Sequence, residues 1–358
     1  MPKALLLIAA LLAFVPAPAY AELETVATFG EDTPPGNIAV GPDGRIFMSV
    51  HGFYGKPVRV VEVLADGKTR PYPNKDWAFA PKDNGPGLNT VLGLRADRHG
   101  ILWMLDGQTK DRAGSVVGWD TKAEKLHRVY TLAPPVTVAS SFLNDLAIDR
   151  DHNAIYIADT GNPETAALIV LDMDTGRARR VLQGSKFTVP EDKDMVIDGK
   201  VVTLGGKPTR IGVNPITIDP TNTWVYFAPM TGTSMYRIRT RDLLDESLSD
   251  KELEERVERY GDKPISDGST VDAAGNVYIT SITEDAIGVT KPDGSYEILY
   301  KQDDLSWPDG FAIGPDGLVY ATINELHRSP VLNGGTDATK GEFKIVRFKP
   351  LGPGVNGR

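Results

Sequence analysis

Four polar residues stand at equivalent places in a chain otherwise rich in apolar runs: Asn144, Asn214, Asp267 and Asp309. Each lies five positions before the residue that ends its run (Asp149, Asp219, Asp272, Gly314). The same count in two further runs, which end at Gly41 and Asp97, reaches Gly36 and Leu92. Two carboxylates and two amides brought together would repel or strand one another unless they were solvated or bound to a cation. Oxygen donors without Cys or His select a hard ion, Ca²⁺ before Mg²⁺, because calcium tolerates irregular coordination by carboxylates, amides and water. Taken singly, Ser-Asp-Gly and Pro-Asp-Gly are ordinary turn sequences, and an Asn or Asp before a strand can bond its own backbone. The common offset is what points to a shared metal or polar-ligand site at Asn144, Asn214, Asp267 and Asp309, with Asn37 beside Gly36 in the first run.

Two histidines are further candidates. His51 in "SVHGFYG" and His327 in "NELHRS" each follow a pair of apolar runs and could reach a channel mouth, His51 to bind a ligand and His327 to move a proton beside Asp267 and Asp309. The chain has no Cys, which excludes thiol chemistry, and its five His contain no H-x-x-x-H pair, so a classical zinc site is not expected. There is no G-x-S-x-G, P-loop or dinucleotide fingerprint.

The elements that must position these residues repeat. An apolar run, a turn with Asp, Asn or Gly, and a second apolar run with an aromatic recur six times, from "NIAVGPDGRIFMSV" at Asn37 to "DGFAIGPDGLVYAT" at Asp309. The aromatics Phe47, Trp103, Tyr156, Tyr226, Tyr278 and Tyr320 are 56, 53, 70, 52 and 42 residues apart. Two such runs joined by a Gly or Asn turn are a hairpin, and repeats of this length fit one four-stranded sheet each. The expected fold is therefore all-β, a six-bladed β-propeller with an axial channel. "ELETVATF" at Glu22–Phe29 is expected to pair with "EFKIVRFK" at Glu342–Lys349, closing the ring and covering an edge. The widest spacing is assigned to one inserted helix near residues 250–260, where "SDKELEERVERYG" carries a capping box, Ser249 with Glu252, then Leu253, Val257 and Tyr260 at helical spacing and Gly261 as a stop.

Residues 1–21 read as a cleavable signal peptide: Lys3, the apolar run Ala4–Phe14, then Ala19-Tyr20-Ala21 before a cut at Glu22. The run is too short to span a bilayer, which needs about 20 residues. The expected product is one secreted or periplasmic domain, 22–358, free of the membrane after cleavage. With 48 Asp and Glu against 39 Lys and Arg and no basic block, nucleic acid is not an expected partner. No motif speaks to the oligomeric state.

The ordered series "GRIFMSVHGFYGKPVRVVEV", "RPYPNKDWAF", "LRADRHGILWMLDGQ", "SFLNDLAIDRDHNAIYIADTG", "VYFAPMTGTSMYRIRTRDLLD" and "EDAIGVTKPDG" resembles the Yellow/major royal jelly protein family in a form like its bacterial members, over nearly the whole of 22–358. That resemblance implies a secreted propeller whose channel binds small molecules, some relatives being linked to dopachrome tautomerisation or to biogenic amines. Asn214, Asp267 and Asp309 are in turn similar to the axial ligands of the regucalcin/gluconolactonase family, calcium-dependent hydrolases of lactones and esters. The first-blade Glu of that family is absent here, with Gly36-Asn37 in its place. Three functions compete: a small-molecule binder with a tautomerase-like activity, a Ca²⁺-dependent lactonase, and a non-catalytic platform for protein partners.

Overall fold

The computed structural model describes residues 22–83 and 85–358. The expected signal peptide lies outside these residues. Six antiparallel four-stranded sheets stand around one axis. Their innermost strands, in order, are Pro35–Val40, Val91–Ala96, Leu143–Asp149, Val213–Ile218, Ser266–Val271 and Pro308–Ile313, numbered here as blades 1 to 6. Each strand packs against the inner strand of the next blade, and blade 6 meets blade 1. Ring closure follows the sequence expectation: Glu24–Phe29 pairs with Phe343–Phe348 as the outer strand of blade 6, so the two ends of the ring sequence share one sheet.

The repeat has a physical basis in the turn that follows each inner strand. Asp97, Asp149 and Asp272 are buried, and each accepts backbone N–H bonds from its own turn while an aromatic of the second strand donates to it. The donors are Trp103 Nε1 at 2.9 Å, Tyr156 Oη at 3.1 Å and Tyr278 Oη at 2.8 Å. The aromatic is thus both core packing and the partner that makes a buried carboxylate tolerable.

Two expectations about the insertion need correction. The 70-residue step separates Tyr156 from Tyr226, and it is filled by two small hairpins, Val196–Ile197 with Lys200–Val201 and Thr203–Leu204 with Lys207–Pro208. The helix belongs to the following step. It has the expected capping box but spans only Asp250–Glu254, preceded by a second short helix at Thr240–Leu244. Glu258–Asp262 is the outer strand of blade 4, paired with Ser234–Arg239. Tertiary pairing captured Tyr260, which packs edge-on against Tyr226, so the apparent helical spacing of Val257 and Tyr260 ended as a strand.

Candidate functional site

Every inner strand carries a register irregularity at the axial position. Two residues there oppose one on the second strand, a β-bulge that bends the chain and re-aims side chains. In blade 5, Asp267 and Gly268 face Thr280, whose hydroxyl accepts both of their N–H groups at 3.0 and 2.8 Å. Thr322 accepts from Gly310 in blade 6, and Ser49 from Asn37 in blade 1. The Asp-Gly pairs that read as turn sequences are therefore bulges. Glycine is required in the second place because neighbouring blades touch there: a Cβ on Gly268 would sit 2.1 Å from the Asp309 carbonyl oxygen, and one on Gly310 would sit 2.3 Å from Asn37 Oδ1.

The bulges project their side chains into a cavity of about 290 Å³. Asn37, His51, Asn144, Asn214, Asp267 and Asp309 all line it, so six of the seven candidate residues come together. His327 does not. Its ring stacks on the far side of Trp307, with centroids 6.1 Å apart at 13°, and its Nε2 lies 3.3 Å from Asp198 Oδ2. His51 caps the short helix Gly52–Tyr54 by accepting the Phe53 N–H at Nδ1, and burial pushes its pKa down to about 3, so it is neutral at ordinary pH. Met230 lines the cavity, whereas Trp77 packs on Trp119 away from it.

Three carboxylates lie at the axis, one more than the ring of four had supplied. Asp145, second in the bulge of blade 3, is buried and receives Arg95 Nη2 at 2.6 Å. The same guanidinium donates to Asn37 Oδ1 at 2.8 Å through Nη1, joining blades 1, 2 and 3. Asp267 accepts only from neutral donors, Asn214 Nδ2 at 2.6 Å and Trp307 Nε1 at 2.8 Å. Asp309 accepts from Asn324 Nδ2 at 2.6 Å, and Asn324 also donates to the Pro35 carbonyl of blade 1. Burial raises all three carboxyl pKa values. Asp267 reaches about 6, and Asp309 stands well above its ordinary value because Asp267 adds to the desolvation. A single buried cation, Arg95, thus faces three acids among the described residues at the axis.

Arg95, Trp307 and Asn324 were not singled out from sequence. Trp307 sits before Pro308 at φ 51°, a region bulky residues rarely adopt, which costs about 1–3 kcal/mol and clusters at functional sites. The "SWPDG" string was the available signal. The hydroxyls Ser49, Thr280 and Thr322, on the second strands of blades 1, 5 and 6, were another.

The donor set fits a calcium ion poorly. Asn37 Oδ1 is taken by the Ile38 N–H and by Arg95, Asp145 is paired with that guanidinium, and Asn214 presents its amide nitrogen toward Asp267. Asp267, Asp309 and the Asn144 amide remain, beside a resident cation. Among the described residues no group of three or more His, Asp or Glu is placed to hold a metal ion.

The family profile described as Major royal jelly protein matches residues 89–349. The chain belongs to that family. It is similar to Major royal jelly protein 1 of Apis mellifera, 23% identical over 68% of this chain and 59% of that protein, and to Major royal jelly protein 3 of the same organism, 23% identical over 53% and 35%. This member of the family therefore spans less than two thirds of the length of those relatives. Among solved structures its fold is similar to a gluconolactonase of Xanthomonas campestris (TM-score 0.58, 15% identity, 92% of this chain and 90% of that one). It is also similar to a calcium-binding protein, regucalcin, of Agrobacterium tumefaciens (0.54, 16%, 93% and 99%) and to virginiamycin B lyase of Staphylococcus aureus (0.54, 15%, 92% and 99%). These likenesses concern the propeller fold.

Proposed function

We propose that this royal jelly family propeller binds a small organic cation in its axial cavity, a ligand with one aromatic ring and a protonated amine. The observation that carries this reading is the imbalance of charge at the cavity floor: among the described residues Asp145, Asp267 and Asp309 are buried with Arg95 as the one buried cation beside them, while Arg210 at the cavity wall is already paired with Asp192 and Asp194. A buried charge is costly unless paired, so an ammonium group is the missing partner for Asp267 and Asp309. The aromatic walls supported by Phe53, Phe142 and Trp307 suit a ring, and their faces favour a cation close by. The test is calorimetric titration of the purified protein with tyramine in the presence of chelator. Saturable binding that Asp267→Asn weakens tenfold or more, equivalent to about 1.4 kcal/mol, is expected. Absence of binding, or equal binding by Asp267→Asn, overturns the reading.

A second reading is supported by the carboxyl pair itself. Burial and the neighbouring Asp267 raise Asp309 well above the ordinary carboxyl range, and Asp267 lies near 6, so the pair favours holding one proton between them, the pairing of acid and base that proton transfer in a tautomerase-like reaction requires. Dopachrome loss that Asp309→Asn abolishes while tyramine still binds would establish it; no acceleration by the native protein leaves a binder. The calcium-dependent lactonase reading is weaker on the donor chemistry, and a rise in Tm on adding Ca²⁺ that Asp267→Asn loses would restore it. Export of the protein is part of the proposal and rests on the leader-like residues 1–21. N-terminal sequencing of the exported product should begin at Glu22, and a product retaining Met1 would refute it.

A further inference from the structure

The channel's other mouth is covered. Beyond the last strand the chain crosses that face of the ring. The Leu351 and Gly352 N–H groups donate to Tyr278 Oη and Asp272 Oδ2 of blade 5, and the Pro353 carbonyl accepts from Ala273. Asn356 Nδ2 donates to the Val40 carbonyl of blade 1 and the Ile313 carbonyl of blade 6, stapling the ends of the two inner strands that close the ring. Arg358 Nη1 then reaches the Asp219 carbonyl and Asn222 Oδ1 of blade 4 at 3.2 and 2.9 Å.

Between this segment and the Arg95 layer lies a second, polar cavity of about 30 Å³. Its charged lining residues are two arginines, Arg95 and Arg358, and the Thr217 and Thr270 side chains line it as well. Neither threonine hydroxyl is engaged among the hydrogen bonds of the described residues. Arg95 has Asp145 as its counter-ion on the opposite side. Among the described residues Arg358 has only neutral acceptors: no Asp or Glu carboxylate lies within ion-pair distance, Asp219, Asp151 and Asp149 act on it from farther off, and its Nε is buried without a hydrogen-bond partner. A buried donor without an acceptor costs free energy, a half-buried guanidinium bonded only to neutral groups is favoured by a nearby anion, and the cavity they border is large enough for a water-sized particle.

We propose that this cavity is a binding site for a monatomic anion, a halide, held on the propeller axis between Arg95 and Arg358 and steadied by the hydroxyls of Thr217 and Thr270. The anion supplies the missing acceptor for Arg358 Nε and locks residues 351–358 over the channel, leaving the acidic cavity with one mouth. The site shares Arg95 with the acidic layer, where the same guanidinium holds Asp145.

The test combines position with stability, using the full chain. Crystals grown in sodium bromide are expected to give an anomalous peak between the two guanidinium groups. Thermal unfolding is expected to show a higher Tm in sodium chloride than in sodium gluconate at equal ionic strength, since gluconate is too large to enter, and Arg358→Gln should remove that difference. Thr270→Val, which leaves the Arg358 bonds intact, should halve it or more. A non-anomalous density in the cavity means water and overturns the proposal. A bromide peak with equal Tm in the two salts marks an adventitious ion only and overturns it as well.

Discussion

Arg95→Met tests whether the axial layer is organised by one buried ion pair. The Arg95 and Asp145 side chains are only 8% and 4% exposed and meet at 2.6 Å. Removing the guanidinium leaves Asp145 as an unpaired buried carboxylate and frees Asn37 Oδ1 from its partner in blade 2. Breaking a buried pair from one side costs about 3–5 kcal/mol. With an unfolding entropy of about 2.1 cal/mol/K per residue, that corresponds to a fall in Tm of roughly 4–7 °C for a ring of this size. The sign of the pH dependence follows from the direction of the Asp145 shift. Its folded pKa is raised because burial outweighs Arg95, so it destabilises the fold as pH climbs from the unfolded carboxyl value through the folded one. Without Arg95 the folded value rises further, so the deficit of the variant should be smaller at about pH 5 than at about pH 8. Urea unfolding at both values measures it. The double variant Arg95→Met/Asp145→Leu should return to within about 1 kcal/mol of the native protein, because the uncompensated charge is gone. A deficit below about 1 kcal/mol, or one equal at both pH values, would refute the argument.

Two further predictions concern the bulges and the acid pair. Gly310→Ala would place a Cβ 2.3 Å from Asn37 Oδ1 and 2.7 Å from Asn37 Cα at the seam of blades 6 and 1; overpacking of this kind costs about 1–3 kcal/mol, and an unchanged urea midpoint would show that the seam has slack. Tyramine affinity should rise as Asp267 loses its proton around its pKa of about 6 and level off above it. The same raised pKa makes the ligand-free protein lose stability as pH rises through that range, and bound amine should offset the loss. An affinity flat across that range would exclude Asp267 as the ammonium partner.

The blades were legible because their signals are local. A strand shows its two faces with period two, turns need Gly, Asn or Asp, and the buried Asp at the end of an inner strand lies six or seven residues before the aromatic that donates to it, as in Asp97–Trp103 and Asp149–Tyr156. The five-residue offset that selected Asn144, Asn214, Asp267 and Asp309 is a property of the same repeat, so it reached the axial cavity without any knowledge of the blades' arrangement. The insertion was misplaced because a short amphipathic pattern suits a helix or a strand edge equally, and the choice at Glu258–Asp262 was made by the neighbouring strand.

The sequence by itself determined the kind of ring this is and which strand starts face its axis. Tertiary structure decided what those residues meet. Arg95 finds Asp145 from 50 positions away and Trp307 finds Asp267 from 40, and Asn356 reaches across 316 to the Val40 carbonyl. Such partners belong to different blades, where no period or spacing in the chain records them. The charge left over at one end of the channel, and the segment that closes the other, exist only once six sheets have brought their inner edges to a single axis.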